Sequence, residues 1–542
     1  MSDLFDHVIV GGGTAAGILA WRLIDAGRSV CVLEAGPPDR NIYHHIPAGF
    51  SKMLFDDRMT WQYASQPNPA TSGRAIHLPQ GKTLGGSSSV NGMAYVRGQA
   101  ADFDHWAQLG NRGWTYEDVL PFFRRTEHYL GQGDDSYRGR GGRVSIGPRR
   151  WDSDVIDDLE KAAMARGHPF NADYNGEKQE GFGRFQSMID RGRRVSTATA
   201  FLHPARRRGA DVRTRALAHR LVMAEGRVTG VDYVAGETQR RVSARQSVIV
   251  AAGPIGSPKL LQLSGIGPVA VLAAAGVQVQ HELVGVGENL HDHYGPRLVA
   301  RLKPGVDSIN AHVTGFALVR QVLRWLAGKP NVLSLGVALV HVYGKSDRTL
   351  DLPDYSLHFA PLSYELGGNA TGSQRVVVLD NQPGLTCGAW QMRPLSRGHV
   401  NIRSRDPQDQ PLIDPCYLAE DLDRRVLIAA MKEARAIMAT PPLSALVECN
   451  LIPGEEVRSD DEWLDFVRNT GGTGFHLVGA CKMGPLSDHA AVVDERLRVH
   501  GLNGLYVADS SIMPQIVSAN TVAATMMIGE KASDMIIEDS RR

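Results

Sequence analysis

The amino-acid sequence predicts an α/β protein, α+β overall, with a Rossmann-like nucleotide-binding fold and a second, discontinuous domain built on an antiparallel sheet. Three observations predict this class. Residues 7–36 have the pattern strand, glycine turn, helix, strand. Residues 247–267 repeat a buried strand, a small-residue turn and a helix. Residues 296–459 mix alternating strands, such as 399–405, with helices such as 421–439, whose apolar residues recur at helical spacing. At 542 residues, the chain is too long for one simple core.

The first nucleotide-binding element is "HVIVGGGTAAGILAWRLIDAGRSVCVLEAG". Val8–Val10 predict a buried strand, Gly11–Gly13 a tight turn and Ala15–Ala26 a helix, and a second strand ends in Glu34. The outer two glycines let the backbone approach a pyrophosphate at a helix N-terminus, and Glu34 can accept hydrogen bonds from a ribose. Ala16 replaces the third glycine of the fingerprint, which tolerates it. A glycine turn alone is weak, but the complete unit indicates dinucleotide binding, with FAD and NAD both open.

The later glycine-rich segments extend this fold. In "LGGSSSVNG", small residues offer backbone amides to a phosphate or a flat ring, whereas a flexible linker is the alternative. Interleaved apolar residues, Leu84, Val90, Met93 and Tyr95, argue against the linker. In "SVIVAAGPIGSPKLLQLSGIG", we expect a strand, a turn and a helix that begins near Ser257 or Pro258.

Composition excludes several functional classes. There are 59 Lys and Arg against 58 Asp and Glu, so the net charge of +1 gives no reason to expect nucleic acid or an acidic membrane as partner. The five cysteines are scattered without a C-x-x-C pair, which argues against a zinc ribbon or a disulfide framework. The N-terminus lacks the basic and apolar regions of a signal peptide, and no apolar run is long enough to span a bilayer. A cytoplasmic protein is expected.

Two segments carry a family resemblance. "GKTLGGSSSVNGMAYVRG" (81–98) and "GPIGSPKLLQLSGIG" (253–267) resemble the two signature motifs of the glucose–methanol–choline (GMC) oxidoreductases, which are FAD enzymes acting on alcohols. "VGVGENLHDH" (284–293), "FHLVGACKMG" (475–484) and the stretch 505–536 resemble that family too. The resemblance covers essentially the whole chain and is greatest to bacterial choline-dehydrogenase-like alcohol dehydrogenases.

The resemblance implies FAD as the cofactor and a set of residues that bind it. Asp509 would bond the ribityl chain, the Ser510 amide a phosphate, and the Ala218 backbone the adenine. Val90 stands where some relatives carry a histidine that attaches the flavin, so we expect non-covalent FAD. The full predicted set is Gly11, Gly13, Thr14, Ala15, Glu34, Ala35, Thr83, Gly86, Asn91, Gly92, Met93, Ala94, Ala218, Asp509, Ser510, Thr521 and Val522.

His476 is the candidate base. In "TGFHLVGACKMG" it lies five residues before Cys481, and on its own it is open to three interpretations: metal ligand, core residue or base. Two residues cannot complete a tetrahedral metal site, so no metal is expected. By resemblance, His476 and Asn520 are the family's catalytic pair at the flavin, although Leu477 and Ala480 replace the usual proline and threonine. A neutral imidazole suits proton removal from an alcohol, and Asn520 can orient the substrate oxygen.

The predicted function is FAD-dependent oxidation of a primary alcohol to an aldehyde, with the proton passing to His476 and the hydride to the flavin. Electrons then go to a quinone or similar acceptor, and an oxygen-using oxidase is the alternative. A hydroxynitrile lyase or a flavin-bound sensor is a weaker alternative on the same fold. Tyr364 and Glu365 are too little to indicate a choline site, and aliphatic or aromatic alcohols are expected. Association with the inner membrane face is a further expectation, and the oligomeric state stays open.

The domain layout follows from the motifs. The FAD-binding domain is expected at 1–150, 195–295 and 460–542, and the substrate-binding domain at 151–194 and 296–459. Other histidines, His291 and His293, are interpreted as structural polar residues near the junction. Trp61 and Tyr63 are candidates for the wall of the flavin pocket, with ordinary packing equally compatible.

Overall fold

The computed structural model describes residues 3–148, 151–368 and 375–541. Two large sheets organise them. Their strands, in chain order, are β1 (Leu4–Val10), β2 (Val30–Glu34), β3 (Gly181–Arg184), β4 (Asp211–Thr214), β5 (Ala216–Ala224), β6 (Arg227–Ala235), β7 (Thr238–Val250), β8 (Arg297–Leu302), β9 (Val340–Gly344), β10 (Tyr355–Ala360), β11 (Gly384–Gln391), β12 (Val447–Ile452) and β13 (Leu505–Val507).

The long helices surround these sheets. Within the described ranges, the helices of nine or more residues are α1 (Thr14–Asp25), α2 (Ala100–Gln108), α3 (Tyr116–Thr126), α4 (Asp154–Ala165), α5 (Gly253–Leu263), α6 (Gly315–Leu326), α7 (Asp421–Met438), α8 (Asp460–Thr470) and α9 (Val522–Asp539). None of the described helices combines the length and hydropathy that a membrane crossing requires.

The first sheet has seven strands in the order β4-β2-β1-β7-β6-β5, with β13 paired to the second half of β7. The pairs among β4, β2, β1, β7 and β13 are parallel, and β5-β6 and β6-β7 are antiparallel. Every residue of β2 is buried, as a parallel strand covered on both faces requires. The predicted strand–turn–helix–strand unit is therefore present as β1, α1 and β2.

The second sheet has six strands in the order β12-β8-β11-β10-β9-β3, and all its pairs are antiparallel. Helices α4 and α7 contribute apolar residues to its core, among them Leu159, Val426 and Met431. The α/β fold with an added antiparallel sheet is confirmed. The strands of this sheet lie between residues 181 and 452, but the domain boundaries themselves stay a prediction.

Two predicted elements differ in detail, and a third agrees with the prediction. Helix α5 begins at Gly253, earlier than expected, because Pro254 is tolerated in a first helical turn where no N–H partner is needed. The strand predicted over 399–405 covers only His399–Asn401, paired with Leu412–Asp414. The segment after Gly85 is a 3₁₀ turn, Gly86–Ser89, and not a flexible linker, because its buried Ser88 and Ser89 hydroxyls donate to the carbonyls of Gly85 and Leu84 just before it.

Candidate active site

One cavity of about 920 Å³ connects the carboxyl ends of the first sheet with the second sheet. It is lined by every predicted site residue except Thr83, that is by His476, Asn520 and the remaining predicted cofactor residues from Gly11 to Val522. Thr83 is fully buried instead, and its hydroxyl donates to the Pro37 carbonyl at 3.0 Å. Trp61 and Tyr63 also line this cavity. The long-range fold thus brings the separate motifs to one space.

Glycines at the nucleotide end allow backbones to approach each other. A Cβ on Gly11, whose φ is +98°, would lie 2.4 Å from the Ala251 carbonyl oxygen. A Cβ on Gly86 would lie 2.8 Å from the Gly13 Cα. The "VIVGGG" turn and the "LGGSS" turn are therefore in direct contact, and no side chain could be added at this point without separating them.

The N-terminus of α1 suits an anion. Its first turn contains no acidic residue, and no side chain caps its free N–H groups. Nearby, Glu34 accepts hydrogen bonds from the amides of Gly12 and Gly36, each at 2.7 Å, which leaves lone pairs on both oxygens for a ribose. Burial raises the pKa of Glu34 to about 7 against the opposing effect of these amides. The backbone cradle, open helix terminus and acid together fit a dinucleotide such as FAD.

Two further predicted cofactor residues also bond within the protein. Asp509 accepts from the Ser257 hydroxyl at 2.6 Å and from the Gly253 amide at 2.9 Å, so its carboxylate fixes the start of α5. Asn91 accepts from the Met93 amide at 3.1 Å and from the Arg194 guanidinium at 2.9 Å. Both side chains position neighbouring backbone around the cavity.

The loop that carries His476 is held on two sides. Val478 donates to the His291 carbonyl at 2.9 Å, and Cys481 donates to the Ser511 carbonyl at 2.9 Å. Leu477, which replaces the proline of the family pattern, is 2% exposed. The loop is thus stabilised by backbone pairing and burial, without the conformational restriction of a proline.

A chain of hydrogen bonds sets the protonation of the His476 ring. His293 Nε2 lies 2.9 Å from the Met392 carbonyl oxygen, which can only accept, so this nitrogen carries the proton. The bare Nδ1 of neutral His293 then accepts from His476 Nδ1–H, at 3.0 Å. The remaining nitrogen of neutral His476, Nε2, therefore carries no proton. Its lone pair accepts a hydrogen bond from Asn520 Nδ2 at 2.9 Å.

Asp292 fixes the backbone of the same residue. Its carboxylate accepts from the His476 amide at 2.7 Å, from the Tyr417 hydroxyl at 2.5 Å and from the Thr473 hydroxyl. Burial raises the pKa of Asp292 to about 6, against the effect of these donors. The three donors thus fix the carboxylate against the main chain of His476.

Burial keeps the histidines of the site neutral. It is the main cause that holds the pKa of His476 well below its usual range, and the neighbouring His293 and His358 lower it further. The pKa of His293 is lowered to about 4 by burial. A neutral His476 is the form that can accept a proton.

The substrate end of the cavity is walled by rings. The Trp390 ring lies edge-on to His358, with centroids 4.2 Å apart, and 6.4 Å from His476. The Arg297 guanidinium lies over the Tyr364 ring, 4.3 Å from its centroid. Among the described residues that line the cavity, the carboxylates are Glu34 and Asp509, both from the nucleotide-binding sheet.

Four residues near the catalytic end were not predicted from the sequence as site residues: His293, Asp292, His358 and Trp390. The "LHDH" motif offered a signal for the first two, since it lies within a segment that resembles the family. For His358 and Trp390, on neighbouring strands of the second sheet, no local pattern was available. In the described part of the chain, no group of three or more His, Cys, Asp or Glu residues is placed to hold a metal ion.

A Rossmann-type nucleotide cavity that ends at a buried histidine and asparagine defines a dinucleotide-dependent oxidoreductase. Family models described as GMC oxidoreductase match residues 5–295 and 394–529. The chain belongs to the GMC oxidoreductase family, and it is an FAD-dependent enzyme that oxidises CH–OH donors.

Named relatives support this assignment. The chain is 37% identical to an oxygen-dependent choline dehydrogenase of Brucella suis biovar 1 (strain 1330), over 98% of this chain and 95% of the relative. It is 38% identical to one from Escherichia coli O127:H6, with the same coverage. Among solved structures, pyridoxine 4-oxidase from Mesorbium loti matches with a TM-score of 0.86 at 28% identity, covering 98% of each chain. A formate oxidase variant from Aspergillus oryzae RIB40 matches with a TM-score of 0.90 at 26% identity, covering 100% of this chain and 99% of that one.

Proposed function

We propose that this enzyme oxidises an uncharged primary alcohol to an aldehyde, with His476 Nε2 as the base. The observation that carries the proposal is the lone pair on Nε2, which the Met392–His293–His476 chain leaves unprotonated beside Asn520. Bound FAD supplies the acceptor for a hydride from the carbinol carbon. The remaining steps belong to the protein.

The substrate hydroxyl takes a place between His476 Nε2 and the Asn520 amide. Nε2 accepts the hydroxyl proton as the C–H bond breaks, and the Asn520 N–H group donates to the oxygen while alkoxide character develops. The imidazolium that forms keeps its Nδ1–H bond to His293, while Asp292 holds the main-chain amide of the same residue in place. His476 itself is buried, with 9% of its surface exposed.

For the cofactor, we propose that the turn at Gly11–Gly13, the α1 N-terminus and Glu34 hold the dinucleotide part. The Gly86–Ala94 segment and the α9 N-terminus at Thr521 hold the flavin part. Val90 is apolar and packs with Met53 and Met59, so it offers no nucleophile for covalent attachment. The two domains would meet across this cofactor, with the boundaries predicted from the sequence.

The proposed substrate is not a cation, although the curated relatives are named for choline. A quaternary ammonium group is stabilised by a carboxylate together with aromatic faces. The described lining at the substrate end contributes no carboxylate and instead places Arg297 over Tyr364. Glu365, the acid next to Tyr364, is exposed and does not line the cavity. An aliphatic or aromatic alcohol matches these walls.

The proposed electron acceptor is a quinone or a similar molecule. We propose that the enzyme is located in the cytoplasm and associates peripherally with the inner face of the membrane. Oxygen is the second candidate, because the relatives are named oxygen-dependent and the structural neighbours include oxidases.

An anaerobic panel of alcohols tests the proposal. We expect aliphatic or aromatic primary alcohols to bleach the flavin absorbance, choline to do so at least about tenfold more slowly, and a soluble quinone to restore the colour faster than air. Bleaching by choline alone would contradict the substrate class. Cyanohydrin cleavage without bleaching would indicate a lyase, and no bleaching by any alcohol would contradict the function.

A further inference from the structure

Helix α6 presents its apolar side to the outside of the protein. Phe316, Leu323 and Leu326 are 85%, 61% and 67% exposed, and Val319 and Val322 are 52% and 40% exposed. At 3.6 residues per turn these five form one stripe along the helix. In a globular protein such a stripe normally faces the core, so α6 is inverted.

Polar contacts hold the inverted orientation. Gln321 is buried, accepts from the Val332 amide at 3.1 Å and lies 3.5 Å from the His312 ring nitrogen. Trp325 Nε1–H donates to the Gly192 carbonyl at 2.8 Å. The side of α6 that meets the protein is therefore anchored by two polar contacts, and the apolar stripe is the side left for a partner.

The surroundings of the stripe are basic. Residues 308–346 contain no Asp or Glu. On α6, Arg320 is exposed and Arg324 half-buried, and Lys329 just after the helix is exposed. Arg193 is exposed as well, with its guanidinium 5.0 Å from the Trp325 ring centroid. Because the whole chain has a net charge of only +1, this concentration of cations is local.

The stripe also adjoins the active site. Ile309 and Val313, just before α6, line the cavity, and so do Val332 and Leu333 shortly after it. A partner on α6 would thus lie next to this part of the cavity wall.

We propose that α6 docks on an anionic lipid bilayer, with its apolar stripe in the acyl boundary and its Arg and Lys side chains on the lipid phosphates. A second copy fits less well, because a twofold contact places the same patch on both sides and brings cations together with no acid in the segment to pair them. Docking gives an apolar alcohol or a membrane quinone a short path to the cavity. The inference rests on the proposed function only in one respect, namely that the enzyme associates peripherally with a membrane.

Vesicle flotation of the FAD-loaded enzyme tests the surface. Vesicles of phosphatidylcholine and phosphatidylglycerol at roughly 3:1 are compared with phosphatidylcholine alone, at low and high salt. We expect binding to the anionic vesicles only, weakened by salt. Phe316→Ser with Leu323→Ser should lower the partition coefficient at least about tenfold. Arg320→Glu with Arg324→Glu should lower it by about fivefold per cation or more.

A matched control is available elsewhere on the surface. Met164→Ser with Leu486→Ser also removes two exposed apolar side chains, which are 59% and 78% exposed, and should leave binding unchanged. Turnover with a soluble dye is measured for every variant. Wild-type enzyme that turns over normally but does not bind the vesicles would overturn the docking inference alone. So would α6 variants that bind the vesicles as well as the wild type does. A wild-type dimer that the Phe316→Ser, Leu323→Ser variant dissociates would also overturn it. A wild-type enzyme that does not oxidise any alcohol with the soluble dye would instead overturn the proposed function.

Discussion

The nucleotide end of the cavity is built from main-chain groups of neighbouring segments, whereas the catalytic end is built from side chains of distant ones. Gly11, Gly13 and Glu34 lie within one unit of the sequence. The His476 ring meets His293, Asn520 and, through His293, the Met392 carbonyl. Binding at the first end therefore depends on the absence of side chains, and chemistry at the second depends on a defined order of donors and acceptors.

The largest expected effect at the nucleotide end comes from Gly11→Ala. The added Cβ would overlap the Ala251 carbonyl oxygen at 2.4 Å, and the φ of +98° disfavours alanine, so the cost exceeds about 2 kcal/mol. We expect at least about tenfold less bound flavin per chain, read from the ratio of absorbance at flavin and protein bands. Gly73→Ala is the control, since its φ of +69° is also positive but its Cβ would meet nothing within 4 Å. Equal loss of bound flavin in both variants would show that the steric overlap with the Ala251 carbonyl oxygen does not cause the loss.

At the catalytic end, His293→Leu removes the acceptor for His476 Nδ1–H. A buried donor left without a partner costs about 1–3 kcal/mol, and the ring can then adopt the tautomer that protonates Nε2. We expect flavin reduction to slow about 10- to 100-fold with flavin content unchanged. His293→Gln, whose side-chain oxygen can accept, should recover part of the rate and move the acidic limb of the pH profile. A His293→Leu rate within twofold of wild type would refute the positioning role.

The pH dependence of the free energy of unfolding depends on the burial of the neutral histidines. The pKa of His7 and of His293 is lowered to about 4 and that of His341 to about 3, while those of His291, His358 and His476 also lie well below the usual range. The unfolded chain binds these protons first, so stability is full above about pH 6.5 and is lost as the pH falls towards 4.

Two buried acids oppose this trend. Glu34 and Asp292 have pKa values raised to about 7 and about 6, so they favour the folded state as the pH falls. Because the lowered histidines outnumber them, we expect a net decrease in Tm of several degrees between pH 7 and pH 5, measured by scanning fluorimetry. A Tm that rises over that interval would mean the histidines are not buried neutral.

The smallest effect is expected at His341, which is buried and finds no hydrogen-bond partner for either ring nitrogen among the described residues. His341→Leu removes two unsatisfied polar atoms, so we expect a free energy of unfolding equal to wild type or about 1 kcal/mol higher. Urea denaturation measures it. A loss above about 2 kcal/mol would indicate that the ring contributes packing or a polar contact that leucine cannot replace.

Sequence patterns predicted the nucleotide end well because its determinants are local. The strand, turn, helix and acid lie within 7–36, and each residue acts through its own backbone or a near neighbour. The start of α5 was misplaced because proline both ends helices and begins them. The Thr83 hydroxyl donates to the Pro37 carbonyl, a contact that no local pattern indicates, and its role at the cofactor stays a prediction.

The catalytic end could be predicted only in part. The family motifs supplied His476 and Asn520, but the tautomer of His476 depends on a main-chain carbonyl at Met392 and a ring at His293, which are far apart in sequence. His358 and Trp390 reach the cavity through the register of β10 and β11, which pairing of the whole sheet decides. Long-range register of this kind leaves no local trace in the sequence.

The most direct test is anaerobic stopped-flow reduction of the flavin by a primary alcohol in wild type and His476→Ala. Because we propose His476 Nε2 as the proton acceptor, we predict that the variant retains yellow, FAD-loaded protein while its reduction rate falls by about 10²–10⁴. Flavin reduction at a near-wild-type rate in fully loaded His476→Ala would contradict the account.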